Sequence, residues 1–388
     1  MKIGIVATSY LSGAGVADLI NQTQGLDEVD RENKYYIFLS KYQSFLLNEL
    51  PSNFEKIIVP FLPRQALLRS VLNQIILPFY IVKHKIDQLY CFGNIAVFFV
   101  NVKTILLIQN ASPFSRVATP SVYHRVSNKI LAFITKLSAK KSDLILYVSE
   151  NSRKLFNALL MVKDEKSRVV YHSWSKNKII PLPNLIKAHP NILWVGSILP
   201  FKQLENLMAA FDGLVEKINY KGHLLIAGDI TDKGYYEKLV NFQKTLASRE
   251  KIQFLGRVQY KYMMWLYSQV EILVFTSIEE TFGIPLIEAM GMGLPILAAA
   301  VNINNSTQNY FNPSKEICMD AALYYNPFNN SDLEEKMIKL LEDENLRKKI
   351  KLAASERIKD FEREMISRKL VDIFNGLKDG NCCANIID

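Results

Sequence analysis

A chain of 388 residues is too long for one ordinary hydrophobic core and suits two domains of roughly 100–200 residues each. Its 49% apolar and 22% charged residues describe a packed globular protein and exclude a disordered chain, a collagen or a coiled coil. The net charge of +9 is lopsided: residues 1–190 hold 24 Lys and Arg against 12 Asp and Glu, and the remainder holds 23 against 26. The first half therefore carries a basic field that suits an anionic partner, or plain solubility charge.

The chain opens MKIGIVATSY, apolar from the start and without the basic n-region or cleavage-like site of a secretory signal. In the first half Lys2–Thr8, Tyr35–Ser40, Lys56–Val59, Thr104–Gln109, Asp143–Val148 and Arg168–Tyr171 read as strands, short and bounded by turn residues. Helical spacing runs through Val16–Gln24, Gln65–Lys85, Ser121–Lys140 and Ser152–Leu160. No window reaches the roughly 18–20 uninterrupted apolar residues of a membrane span. Ile75–Val82 comes nearest and stops at Lys83, His84 and Lys85. With cationic ends (Arg64, Arg69, Lys83, Lys85), Gln65–Lys85 suits either an anionic membrane surface or burial against the first sheet. Four scattered cysteines (Cys91, Cys318, Cys382, Cys383) form neither a disulfide framework nor a zinc site and fit a reducing compartment. A cytoplasmic location is expected.

The pattern then restarts. Ile192–Val195, His223–Ala227, Ile252–Leu255, Ile272–Phe275 and Pro295–Ala298 read as strands, with helices over Gln203–Lys217, Lys233–Leu246, Tyr260–Tyr267 and Pro285–Met290. Near-continuous apolar strands alternating with helices predict α/β lobes with doubly wound parallel sheets, facing a central cleft. The boundaries are a first lobe over 1–172, a Pro-rich linker over 173–189 and a second lobe over 190–358. A C-terminal helix over 359–377 is expected to return to the first lobe, and 378–388 forms a tail.

Three strand ends carry candidate chemistry. Gly13 and Gly15 follow the first strand, where a backbone loop could approach a phosphate at a helix N-terminus, or simply make a tight turn. Glu280-Thr281-Phe282-Gly283-Ile284-Pro285-Leu286-Ile287-Glu288 is stronger. Gly283 and Pro285 place a helix start near Ile284, and its free amides suit a diphosphate. Glu280 and Glu288 would repel a phosphate, so they address sugar hydroxyls. Gly196 to Lys202 sets a cation at a helix start, a place that favours acids unless an anion lies between. Lys202 is expected to be exposed and to make few packing contacts.

Glu280-x7-Glu288 with its Ala289-Met290-Gly291-Met292-Gly293-Leu294-Pro295-Ile296 tail resembles the donor-site signature of the retaining glycosyltransferases of family 4, which have the GT-B fold. Gly196…Lys202, Leu225–Asp229, Phe254–Val258 and Asp143–Ser149 extend the likeness. The resemblance implies a nucleoside-diphosphate sugar donor, no cofactor and no metal. Lys202 would hold the diphosphate and Glu280 the transferred sugar, the two forming the catalytic pair. Glu288 would hold the ribose, Val258 would meet the base, and Ser197, Gly13 and Gly15 would line the donor. Backbone from Thr281, Phe282, Gly283, Ile284 and Leu286 would enclose sugar and phosphate. Gln109, Asn110 and Ser149 are the acceptor-side candidates. Ser197, Phe201 and Gln109 stand where family members often carry Arg, Arg and His. No Asp-x-Asp occurs, so the leaving charge falls to Lys202, helix dipoles and amides. The implied acceptor is a glycan or lipid-linked saccharide of cell-surface polysaccharide synthesis; the alternative is a silent GT-B subunit that binds nucleotide or protein. Peripheral contact with an anionic membrane fits the basic half. Arg347-Lys348-Lys349-Ile350-Lys351 lacks interleaved aromatics, so no nucleic-acid partner is expected.

Overall fold

A computed structural model describes residues 1–9, 14–43, 50–115, 122–176, 178–182, 191–301 and 310–378. The chain divides into two compact units, Met1–Ser173 with Glu362–Asp388, and Trp174–Phe361. The expected boundary shifts at its linker. The Trp174 N–H donates to the Phe361 carbonyl at 2.8 Å, and its indole leaves no room for a Cβ on Gly291, so Trp174 already belongs to the second unit. Residues 177 and 183–189 of the expected linker, like the tail from residue 379, lie outside the described residues.

The first unit runs β1 (Lys2–Val6), α1 (Ala14–Val29), β2 (Lys34–Ser40), β3 (Phe54–Val59), α2 (Ala66–His84), β4 (Gln88–Phe92) and β5 (Lys103–Ile108). It continues α3 (Val122–Lys141), β6 (Leu144–Tyr147), α4 (Glu150–Leu160) and β7 (Ser167–Val169). The sheet is parallel in the order β3-β2-β1-β4-β5-β6-β7. β4, at its centre, was not expected from the sequence. Gln88-Leu89-Tyr90-Cys91-Phe92 carries two aromatics but no β-branched residue and follows the long helix with hardly a break, so propensity marks it only weakly. It is buried throughout, and burial between β1 and β5 overrides propensity.

The second unit runs β8 (Asn191–Val195), α5 (Leu204–Ile218), β9 (His223–Ala227), α6 (Lys233–Thr245), β10 (Ile252–Gly256) and α7 (Tyr260–Ser268). Then come β11 (Ile272–Phe275), α8 (Ile284–Gly291), β12 (Ile296–Ala299), α9 (Ser314–Cys318), β13 (Leu323–Tyr325), α10 (Asn330–Glu342) and α11 (Glu344–Arg357). Its parallel order is β10-β9-β8-β11-β12-β13. β13 also escaped the sequence reading, being only three residues long. The core packs Trp194, Leu224 and Ile226 of the sheet against Leu207, Phe211 and Leu214 of α5.

The last helix, α12 (Arg363–Lys378), belongs to the first unit and packs on α1. A Cβ on Gly25 of α1 would stand 2.0 Å from Ser367 Oγ, so the glycine permits the close approach. Arg363 donates to Gln24 and Glu28, and Gln88 donates to the Phe374 carbonyl at 3.3 Å. Phe374 also meets the rings of Tyr35 and Tyr90.

Candidate functional site

The order of the second sheet reverses direction between β8 and β11, and in open α/β sheets loops part there and leave room for a ligand. Three loops along this carboxyl edge are stitched by backbone. Gly196 N–H donates to Ala227 O at 3.0 Å, Ile198 N–H to Asp229 O at 2.9 Å, and Gly228 N–H to Gly256 O at 2.9 Å. A Cβ on Gly228 would fall 1.6 Å from the Gly196 carbonyl oxygen, so only glycine lets the two loops meet.

Lys202 ends a short 3-10 turn, Pro200–Lys202, after which Gln203 turns left-handed (φ 50) and α5 begins. Trp194 Nε1–H donates to Thr276 Oγ1 at 2.9 Å, and the Thr276 hydroxyl donates to the Lys202 carbonyl. Ile278 N–H donates to Phe201 O at 3.0 Å, and Glu280 N–H to Phe311 O at 2.8 Å. These bonds fix the loops after β8 and β11 so that Lys202 Nζ and Glu280 Oε2 form an ion pair. The lysine was expected to be exposed. Instead its side chain is 12% exposed, with Nζ 5.4 Å from the Phe201 ring centroid and 5.7 Å from that of Phe275.

Gly283 stands at φ 94 before α8, a conformation that side chains resist, and a Cβ there would meet Leu286 at 2.9 Å and Phe275 at 3.1 Å. No side chain caps this end; Pro285 in the first turn brings no N–H and the Leu286 N–H donates to the Gly283 carbonyl at 2.9 Å, so it is the helix dipole that makes the amino end of α8 favourable to an anion. Thr281, Phe282 and Leu286 are buried, Phe282 edge-on to Phe361 at 5.9 Å, while Ile284 is half-buried. The side chains of Thr281, Phe282 and Leu286 serve the core.

Glu288, one turn into α8, is 5% exposed and accepts from the Tyr267 hydroxyl at 2.7 Å. Burial pushes its carboxyl up to about 7, against the opposing pull of that hydrogen bond. Burial and the neighbouring carboxylate push the Tyr267 hydroxyl well above its usual range. Sequence reasoning missed Tyr267, which sits near the end of α7 with no motif to mark it. The structure brings Lys202 to Glu280 and ties Glu288 to α7.

Ser197 is exposed, and Val258 is half-buried just beyond Gly256 (φ 63). Arg257 lies 3.8 Å from Asp229. Gly15 is the second residue of α1, and Gly13 lies outside the described residues. In the first unit, Asn94 Oδ1 accepts from the Gln109 and Asn110 amides, each at 3.2 Å, and its Nδ2 donates to the Asn110 carbonyl at 2.7 Å. That presents the exposed Asn110 at the end of β5, an arrangement the sequence did not disclose. Ser149 requires correction as an acceptor-side residue. It is fully buried and caps α4, accepting from Ser152 N–H at 3.0 Å, because a helix start needs an acceptor there more than solvent does. A separate cavity of about 440 Å³, lined by Tyr267, Glu271, Met292, Gly293 and Arg347, opens near the amino ends of β11 and β12, away from the ion pair.

Residues 176–357 match the family described as glycosyl transferases group 1. The O-antigen chain mannosyltransferase RfbU of Salmonella typhimurium is 28% identical over 239 residues, 61% of this chain and 62% of that protein. O-antigen chain mannosyltransferase B of Escherichia coli is 22% identical over 183 residues, 47% of this chain and 45% of its own length. The chain thus spans less than two thirds of either relative. Among solved structures, sucrose-phosphate synthase from Thermosynechococcus elongatus superposes with a TM-score of 0.77 at 17% identity, over 98% of this chain and 100% of that one. WaaG, a glycosyltransferase involved in lipopolysaccharide biosynthesis, gives 0.71 at 18% identity, covering 97% and 100%. HepE of Anabaena in complex with UDP-glucose gives 0.72 at 17% identity, again covering 97% and 100%.

Proposed function

Residues 176–357 of this chain belong to the glycosyl transferases group 1 family, on a GT-B fold, and from that premise we propose that the protein transfers a sugar from a nucleoside-diphosphate donor to a cell-surface glycan or its lipid-linked precursor. The observation that carries the reading is the Lys202–Glu280 pair, held where the sheet order reverses and just before the uncapped amino end of α8. A cation beside the positive end of a helix dipole suits a departing diphosphate, and a carboxylate beside them suits a sugar that gains positive charge as its bond to phosphate breaks.

The donor diphosphate exchanges partners with Glu280: its oxygens take Lys202 Nζ and lie against the amino end of α8, and the freed carboxylate turns to the transferred sugar. Glu288, oriented by Tyr267, takes the ribose hydroxyls. The acceptor hydroxyl oxygen bonds to the anomeric carbon on the face the diphosphate leaves as the carbon–oxygen bond to phosphate breaks, its proton passing to the departing phosphate oxygen, so configuration is retained. No nucleophilic side chain is assigned, and no metal is required, because Lys202 and α8 meet the leaving charge. The reaction belongs at the cytoplasmic face of a membrane, where such acceptors are assembled. Likeness to two O-antigen mannosyltransferases supports a polysaccharide pathway.

A melting screen against UDP, GDP, ADP and their sugars identifies the donor, since a ligand that binds only the folded state raises its stability. Donor consumption is then compared between the parent and Glu280→Gln. Loss of turnover with donor affinity kept is the expected result, and a fully active variant would overturn the assignment. Ser197 and Gln109, standing where family members often carry Arg and His, favour a second reading as a nucleotide-binding subunit without turnover. Tight donor binding with no consumption by the parent would establish it.

A further inference from the structure

Two neighbouring helices of the first unit carry apolar side chains on their outward faces as well as toward the core. On α2 the inward stripe is Arg69, Asn73, Leu77 and Ile81, while Leu68, Val71, Ile75, Phe79 and Val82 are between 48% and 76% exposed. The polar inward residues have structural tasks. Arg69 donates to the Arg64 carbonyl at 2.6 Å, Asn73 to Thr8 Oγ1 at 2.8 Å, and the half-buried Gln74 fastens Ala96 and Phe98. The adjoining α3 repeats the pattern, with Val126, Ile130, Phe133 and Leu137 between 39% and 62% exposed. Phe99, in the loop after β4, is 77% exposed.

Such a surface costs solvation unless something covers it, and contiguous apolar patches mark interaction sites. Its charge identifies the partner. Neither α2, with 19 residues, nor α3, with 20, contains an Asp or Glu. Lys83 and Lys85 at the end of α2, and Arg125, Lys129, Lys136, Lys140 and Lys141 on α3, are exposed around the apolar stripes. An amphipathic face with cations at its rim matches a bilayer with anionic headgroups, where apolar side chains enter the acyl boundary and lysines meet phosphate. A second copy of this face would set cation against cation. By length and composition α2 could span a membrane, contrary to the sequence reading. Its packing into the sheet through Leu77 and Ile81 assigns it to the surface of a bilayer instead.

We propose that the outward faces of α2 and α3 form a docking surface for an anionic lipid bilayer. The inference rests on the first unit alone and is independent of the donor-site assignment. Co-sedimentation uses the full chain with vesicles of phosphatidylcholine alone and with roughly 30 mol% phosphatidylglycerol. Binding is expected only to the anionic vesicles, weakened severalfold at roughly 0.5 M salt. Phe79→Glu with Phe133→Glu should lower it by roughly tenfold or more, since both remove apolar insertion and add negative charge. Both positions are exposed, and an unchanged melting temperature confirms that the variant is folded. Absence of binding to anionic vesicles, or equal binding by the folded variant, overturns the proposal. A concentration-dependent dimer in sedimentation equilibrium that the same substitutions dissolve would also overturn it, because the face would then belong to a second copy.

Discussion

Lys202 and Glu280 are 78 residues apart in sequence and neutralise each other in space. Lys202→Ala should weaken nucleoside-diphosphate binding by about 1.5–3 kcal/mol, the range for hydrogen bonds to a charged group, as calorimetry would register. It should also lower stability by about 1 kcal/mol, because Glu280 loses its partner in a site that is partly closed to water. Adding Glu280→Gln should restore the melting temperature without restoring affinity. Glu288 makes a different prediction. Its folded carboxyl titrates at about 7 against an ordinary 4.5, so between those values the native state holds a proton that the unfolded chain has released. Its contribution to stability therefore falls as pH rises through that window and is lost above it. Glu288→Gln should gain stability relative to the parent from pH 5 to pH 8, on the order of 1–3 kcal/mol in paired denaturation curves. A constant difference between the two proteins would mean that Glu288 is ionised when folded. The two glutamates and the lysine were legible in the sequence because each interrupts a local rule, an acid among apolar residues or a cation at a helix start. Their partners were not. The Lys202–Glu280 contact depends on loop stitching by Trp194 and Thr276, and Tyr267 meets Glu288 only because α7 and α8 pack together.

Among the elements, α8 joins sequence and site most directly. Its start was legible because Gly283 and Pro285 mark it from the chain alone, but the reason the glycine is needed is tertiary. Gly283→Ala should cost about 1–3 kcal/mol from left-handed strain alone, with the clash against Leu286 and Phe275 added. Thermal denaturation of the folded variant measures this, and a neutral substitution would mean that the turn can refold around a side chain. The fold was legible wherever strands are rich in Ile, Val and Leu, as in β5, β8 and β11, and illegible where burial alone makes the strand, as in β4. The same contrast governs α2. Its helical period is plain in the sequence, yet which stripe faces inward is decided by hydrogen bonds from Arg69 and Asn73 that no periodicity announces.

For the whole molecule, the consequential feature is the return of α12. Leu370, Ile373 and Phe374 are buried in the first unit, so a chain truncated after Phe361 should leave the α1 face and the Tyr35 and Tyr90 rings bare. Calorimetry of such a truncation should show the first unit's transition weakened or lost while that of residues 174–361 persists. An unaltered pair of transitions would refute the dependence. Order of synthesis follows from the same geometry. The ribosome delivers the first unit's sheet before α12, with the roughly 190 residues of the second unit made in between. At about 5–20 residues per second, that sheet waits about 10–40 seconds without α12. The later-encoded unit, contiguous in the chain, can finish first, so nascent chains should mature from the middle outward and would need a chaperone most while still tethered.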